Sequence, residues 1–352
     1  MIKRRISKQI KIGDVKIGGD SLISVQSMLN TDTRDISSSI DQINKLQDAG
    51  CELIRLAVLN SQAASAIKEL KKFSKVPLIA DIHFDYRLAI ESINNGIDAL
   101  RLNPGNIGNI DNIKKVITLA KQQNIPIRIG INAGSLEKKQ DKNNNLSLPE
   151  KMVQSALSHI KILEDCNFDL IKVSLKSSSV IDTIEAYKLI ADKIPYPLHL
   201  GVTESGTKNI GTIKSSVGLG ALLALGIGDT IRVSLSDDPV EEVYTGYEIL
   251  KSLNLRTRGI NFISCPTCGR CQIDLITLAK KVEEKFRNLN KPLTIAVMGC
   301  PVNGPGEAKH ADFGIAGAIG EGYIFHKGTV IKKVKEEFLL QEFENIIYNY
   351  LK

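Results

Sequence analysis

The densest chemistry in the chain lies in two short segments, SCPTCGRC (264–271) and MGCPVNGPGE (298–307). Cys265 and Cys268 form a CxxC, Cys271 follows it, and Cys300 heads the second segment. Thiols so spaced hold zinc, hold an iron–sulfur cluster or form a redox disulfide. On spacing alone, a zinc held by Cys265, Cys268, Cys271 and Cys300 competes with a cluster. Two features weigh against a structural zinc knuckle. Cys271 falls where a helix is expected to start, and the second segment carries a lone carboxylate, Glu307, behind a turn set by Gly304 and Gly306. A 4Fe-4S cluster on three thiolates, with an oxygen ligand on its fourth iron, has a use for that carboxylate. The remaining cysteines, Cys51 and Cys166, each precede an apolar run and read as buried packing thiols.

A second constellation is cationic. The apolar runs LIRLAV, ALRLNPG, PIRIGIN, LIKVSLK and TIRVSL each carry one basic residue at a similar depth: Arg55, Arg101, Arg128, Lys172 and Arg232. A charge inside a buried strand is costly unless paired. With a side-chain period of two, Asn103, Asn132, Ser174, Lys176 and Ser234 share the same side, nearer the C-terminal strand ends. Asp81 and His83 follow one strand, and Thr203 and Glu204 another. Two carboxylates, Asp81 and Glu204, cannot neutralise six cations, so the pattern points to a polyanion, most simply a diphosphate. The segment TESGTKNIGTIKSSVGLG (203–220), with Lys214, leads into a helix N-terminus, where backbone N–H groups favour phosphate. NPGNIGN (103–109) offers further backbone donors; neither glycine pattern is a dinucleotide fingerprint.

The elements that must position these residues recur regularly. Eight short β-branched runs are expected as strands: 23–28, 53–58, 77–82, 99–104, 126–131, 169–175, 197–202 and 230–235. Helical periodicity fills the gaps, as in 38–50, where Ile40, Ile43, Leu46 and Ala49 share a face and Gly50 supplies the stop. Eight βα units fit an α/β fold of the TIM-like (β/α)8 barrel type, with a doubly wound sheet as the alternative. In a barrel, inward polar residues at the C-terminal strand ends are where chemistry is carried. The stretch 137–150 is polar enough for an exposed loop. From about residue 255 a separate small α+β domain is expected, with a helix near 272–288, the strand LTIAVMG, a hairpin in YIFHKGTVIKKV and a terminal helix. The expected division is 1–254 for the anion-binding barrel and 255–352 for the cysteine domain.

The 352-residue chain has a formal charge of +7, consistent with an anionic partner. Zero Trp, 5 % aromatic residues and dispersed basic residues argue against a nucleic-acid groove. No run of eighteen apolar residues suggests a membrane span, and no apolar stretch behind the basic N-terminus suggests a signal peptide. A cytoplasmic location is therefore expected, where a CxxC stays reduced.

Taken together, SCPTCGR, GCPVNGPGE, VQSMLNTDT (25–33), ADIHFDYR (80–87), RLNPGNIG (101–108), RIGINAGSLE (128–137) and RVSLSDDPVEE (232–242) resemble the 4-hydroxy-3-methylbut-2-enyl diphosphate synthase family, IspG or GcpE, collinearly over almost the whole chain. The resemblance implies an oxidoreductase of the non-mevalonate isoprenoid pathway. Its substrate would be 2-C-methyl-D-erythritol 2,4-cyclodiphosphate and its electron donor flavodoxin or ferredoxin. It implies a 4Fe-4S cluster on Cys265, Cys268 and Cys300 with Glu307 as fourth ligand, on a domain similar to those of sulfite and nitrite reductases. It also implies a head-to-tail homodimer. Arg55, Arg101, Arg128, Lys172, Lys176 and Arg232 become the expected phosphate contacts, with Asn103, Asn132, Thr203, Lys214 and Ser234 beside them. Glu204, Glu307 and His83 are the candidates for proton delivery. Two departures stand out: Leu29 where the family commonly has Thr, and the extra thiol of Cys271.

Overall fold

The computed structural model describes residues 2–103, 107, 109–136, 145–301 and 308–351. Glu307, Gly304 and Gly306, most of NPGNIGN and residues 137–144 of the polar loop lie outside the described residues. The chain divides into two compact units, Met1–Arg256 and Thr257–Lys352.

The first unit opens with a hairpin, β1 (Ile10–Ile12) and β2 (Val15–Ile17). Then come β3 (Ser24–Met28), α1 (Ile36–Asp48), β4 (Leu53–Ala57), α2 (Ser61–Phe73), β5 (Leu78–Asp81), α3 (Tyr86–Asn94), β6 (Ala99–Leu102) and α4 (Ile110–Gln122). They are followed by β7 (Ile127–Asn132), α5 (Leu148–Asp165), β8 (Ile171–Lys176), α6 (Val180–Ala191), β9 (His199–Leu200), α7 (Lys208–Ala224), β10 (Thr230–Ile231) and α8 (Pro239–Ser252). The eight strands from β3 to β10 form one parallel sheet in the order β8-β7-β6-β5-β4-β3-β10-β9. A bridge between Val173 and Leu198 closes it into a barrel.

Local signals explain the helices. Asp35 caps α1 by accepting from the Ser38 amide, and Ile43 and Leu46 bury its inner face. Gly50, at φ 94°, ends the turn in the left-handed region that favours glycine. Ser147 and Glu150 form a reciprocal capping box on α5. The last two strands are shorter than their apolar runs: β9 and β10 each hold two residues. Arg232 and Ser234 therefore follow a strand rather than lie in one. The hairpin β1–β2, unexpected from the sequence, packs Ile10, Ile12 and Ile17 against Leu53, Ile79 and Ala99, covering the N-terminal end of the barrel strands.

The second unit is a five-stranded sheet in the order β11 (Asn261–Ser264), β12 (Thr294–Met298), β13 (Phe313–Ala318), β14 (Glu321–His326) and β15 (Thr329–Lys335). The first two neighbour pairs are parallel; β13–β14–β15 is an antiparallel meander. Helix α9 (Leu275–Phe286) and the terminal helix α10 (Leu339–Leu351) bury Val282, Phe286, Phe343 and Ile347 with Ile295 and Val297 of β12. The alternate residues Ala296 and Met298 pack on a second cluster that includes Cys265. The helix begins at Leu275, so Cys271 sits in the turn before it. Among the described residues, no helix is long and apolar enough to cross a membrane.

Candidate active site: a cationic barrel mouth and a thiol-bearing sheet edge

The parallel register sets the cations side by side. Asp81 pairs with Arg101, Arg101 with Arg128, and Arg128 with Lys172, so all four point to the same side of the sheet. At the C-terminal strand ends a cavity of about 130 Å³ opens on this side, faced by Asp81, Arg101 and Arg128. Arg55, Arg101, Arg128, Lys176 and Arg232 line it, with Asp81 as the one lining carboxylate among the described residues. His83, Asn132, Ser174, Thr203 and Ser234 complete the wall.

Two glycines make room. A Cβ on Gly130 would meet the Arg101 Nε at 2.5 Å, and one on Gly201 would meet the Lys176 Nζ at 2.5 Å. Small residues on neighbouring strands thus let two long cations cross the barrel interior.

The charges are only partly compensated. Asp81 accepts from Arg101 at 3.2 Å, lies 3.8 Å from the Arg55 Nε and 3.4 Å from the His83 Nε2. Burial alone would raise its carboxyl, but Arg55, His83 and Arg101 outweigh that and hold it well below the usual carboxylate range. Burial pushes Arg55 down to about 10 against the pull of Asp81, with Arg232 and Arg101 adding. Lys176 is lowered by burial first, then by Arg128 and Arg232. Arg128 donates to the Ser174 hydroxyl at 3.3 Å, while its Nε and Nη2 have no partner among the described residues. Cations left in this state are what a polyanion binds.

Other expected site residues lie elsewhere. Lys172 is 1 % exposed, does not line the cavity, and its Nζ has no partner among the described residues. Asn103 is buried at the end of β6. Glu204 is exposed with a left-handed backbone, φ 52°. Of the segment 203–220, Thr203 lines the cavity, whereas Lys214 sits partly exposed within α7.

One residue escaped sequence reasoning. Glu242, in the first turn of α8, is 3 % exposed and accepts from the Arg232 Nε at 3.2 Å and Nη2 at 3.1 Å. It is the second Glu of SDDPVEE, where an acidic residue reads as ordinary complement to a helix N-terminus.

In the second unit, Ser264 pairs with Val297, so both cysteine segments leave the same end of two adjacent parallel strands. The Gly299 amide donates to the Cys265 Sγ at 3.3 Å. A Cβ on Gly299 would meet the Cys271 Sγ at 2.6 Å, and the Cys271 thiol donates to the Ile273 carbonyl at 3.3 Å. Cys300 is buried and Cys268 exposed. Among the described residues, no three Cys, His, Asp or Glu side chains are gathered as around a metal ion. The donor set nonetheless suits an iron–sulfur cluster: thiols at one end of two adjacent strands, with a backbone N–H aimed at a sulfur. The remaining thiols differ from one another. Cys51 is buried, but Cys166, expected to be buried, is only partly covered because it caps α5 at the barrel's rim.

Residues 7–247 match the GcpE TIM-barrel domain, and residues 261–349 match the GcpE protein C-terminal domain. The 4-hydroxy-3-methylbut-2-en-1-yl diphosphate synthase (flavodoxin) of Caldanaerobacter subterraneus subsp. tengcongensis is 57 % identical over 343 residues, 97 % of each chain. That of Clostridium acetobutylicum is 56 % identical over 348 residues, 99 % of this chain and 100 % of the relative. Among solved structures, dihydropteroate synthase from Stenotrophomonas maltophilia aligns with a TM-score of 0.53 at 12 % identity, over 70 % of this chain and 98 % of that one. 3-Dehydroquinate dehydratase from Geobacillus kaustophilus HTA426 aligns with a TM-score of 0.51 at 13 % identity, over 71 % and 99 %. At such identities the two structures show a shared barrel fold and nothing more. With both family domains present in order and more than half its residues shared with full-length relatives, the chain belongs to the GcpE family of 4-hydroxy-3-methylbut-2-en-1-yl diphosphate synthases, oxidoreductases of the non-mevalonate isoprenoid pathway.

Proposed function

We propose that the protein converts 2-C-methyl-D-erythritol 2,4-cyclodiphosphate to 4-hydroxy-3-methylbut-2-enyl diphosphate. The reaction consumes two electrons and two protons, opens the ring at a C–O bond to phosphate and releases water. The observation that carries the proposal is that, among the described residues, five cations line the barrel mouth against a single carboxylate. Arg55, Arg101, Arg128, Lys176 and Arg232 bind the diphosphate and stabilise the charge that the departing phosphate oxygen gains. Asn132, Thr203 and Ser234 add hydrogen bonds around it, with Asn103 and Lys214 further out. Lys172 acts from beneath by its field. Protons come from His83, Glu204 or Glu307; of the two described, His83 lines the cavity, tethered to Asp81.

Cys265, Cys268 and Cys300, with Glu307 as fourth ligand, would hold a 4Fe-4S cluster. When bound, that cluster supplies the electrons one at a time. Flavodoxin is the proposed donor, as the relatives' names indicate, and the cytoplasm the proposed setting. Anaerobically prepared protein, given a chemical reductant, should turn over the cyclodiphosphate and contain iron and labile sulfide. Zinc in place of iron, or no conversion of the cyclodiphosphate, would overturn the proposal.

The assembly is proposed as a head-to-tail homodimer whose sites combine one chain's barrel with the other's cysteine unit. An inactive Arg128→Ala protein mixed with an inactive Cys300→Ser protein should then regain activity, up to about a quarter of wild type if subunits exchange at random and each mixed dimer holds one intact site. No recovery, with exchange shown by mass spectrometry, would place each site within one chain.

A further inference from the structure

We infer that Glu242 is a positioning residue, holding the Arg232 guanidinium in the orientation in which it meets the anion in the barrel mouth. The inference deepens, and rests on, the reading of that cavity as a diphosphate site. Arg232 lines the cavity just past the end of β10 at Ile231, where its backbone keeps one tie to β9, its amide donating to the Leu200 carbonyl at 3.0 Å. What fixes its side chain is the carboxylate on α8. Glu242 takes the Arg232 Nε and Nη2 at 3.2 and 3.1 Å, a two-point grip that sets the plane of the guanidinium. Nη1 is left out of that grip, 3.9 Å from the Met28 sulfur.

The same carboxylate accepts from the Ser27 hydroxyl at 2.8 Å and from the Leu235 amide at 3.1 Å. One buried group thereby joins β3, the segment after β10 and α8. Asp81, by contrast, is divided between Arg55, Arg101 and His83. Among the described residues, Arg232 is thus the lining cation with a carboxylate of its own.

The test must separate position from charge. Glu242→Gln removes a negative charge near the site and so strengthens anion attraction while it loosens Arg232; the two effects oppose. Glu242→Asp keeps the charge but is one methylene shorter, and cannot reach Arg232, Leu235 and Ser27 together. Inorganic pyrophosphate is titrated calorimetrically into the full-length protein, prepared anaerobically. Glu242→Asp should bind it about tenfold more weakly than wild type, near the lower end for a lost hydrogen bond to a charged group. In an Arg232→Ala background the same change should alter affinity by less than about twofold, because the residue it acts through is gone. Equal weakening in both backgrounds, the mark of a merely structural role, would overturn the inference, as would no weakening in either. Wild-type protein that takes up no pyrophosphate would overturn the anion reading and this inference together. Wild-type uptake with unchanged Glu242→Asp would overturn this inference alone. Should Glu242→Asp fail to fold, Ser27→Ala, which removes one anchor of the carboxylate, is read in the same cycle with about threefold expected.

Discussion

Serine at Cys265, Cys268 or Cys300 is expected to strip the protein of iron and labile sulfide together with its turnover, whereas serine at Cys271, Cys51 or Cys166 leaves both in place. A hydroxyl is a poor substitute for a thiolate on iron, and a cluster on three protein thiolates has none to spare. The surroundings separate the two groups of cysteines. Cys265 follows β11 directly and receives the Gly299 N–H, while Cys300 lies two residues beyond the adjacent β12. Cys271 instead donates a hydrogen bond to the Ile273 carbonyl and fills the space over Gly299, as a thiol used for packing does. Burial pushes the Cys51 thiol up to about 12, so it stays protonated and inert. Cys166 ends α5, in the barrel unit. Iron and sulfide analysis, read beside the visible spectrum of each variant, checks the assignment. A Cys271→Ser protein that bleaches while Cys265→Ser keeps its colour would replace the ligand set.

The barrel was largely legible because its strands are buried on both faces and so read as continuous β-branched runs, such as PIRIGI and DLIKVSL. The two runs read too long, PLHLGV and TIRVSL, remain apolar after their regular pairing gives way to isolated bonds such as that from the Arg232 amide to the Leu200 carbonyl, and hydrophobicity cannot report where regular pairing ends. The hairpin β1–β2 did leave a trace: Gly13–Asp14 between IKI and VKI is a two-residue turn, with Gly13 at φ 53°. Its strands are three residues long and interleaved with lysines, so the trace merged with a basic N-terminus. In the site, strand parity showed which residues face inward but not how deep they lie. Lys172 and Lys176 share one face of β8, yet only Lys176 lines the cavity. Glu242 was missed for a related reason, because the helix period does not say which strand-end cation lies opposite its first turn.

The other large effect concerns Arg128. Arg128→Met is expected to melt higher than wild type without ligand, and to bind inorganic pyrophosphate on the order of 100-fold more weakly, the scale of losing a buried charged contact. Arg128 is 3 % exposed as a residue, and the one described hydrogen bond of its guanidinium is to the Ser174 hydroxyl. Burial lowers its pKa well below the ordinary value, with Arg55 and Arg101 adding. Since arginine keeps its proton, the cost is borne as lost stability. Asp81 is held by Arg55 and Arg101, so removing Arg128 strands no carboxylate. Replacement of a poorly compensated buried charge by an apolar side chain of similar volume then stabilises by about 1–4 kcal/mol. The pH dependence gives an independent check. Lys172 and Lys176 are lowered by burial first and by Arg128 next. Their folded pKa values therefore lie below the ordinary value of 10.5. The unfolded chain binds more protons than the folded one in that window, so stability rises with pH up to the ordinary lysine value and is lost as pH falls. Melting between pH 7 and 9 should accordingly rise more steeply in wild type than in Arg128→Met, and pyrophosphate should flatten the wild-type slope by restoring the lysine charges. A variant that melts lower than wild type and still binds pyrophosphate as tightly would mean that Arg128 is held by structure rather than kept for the anion.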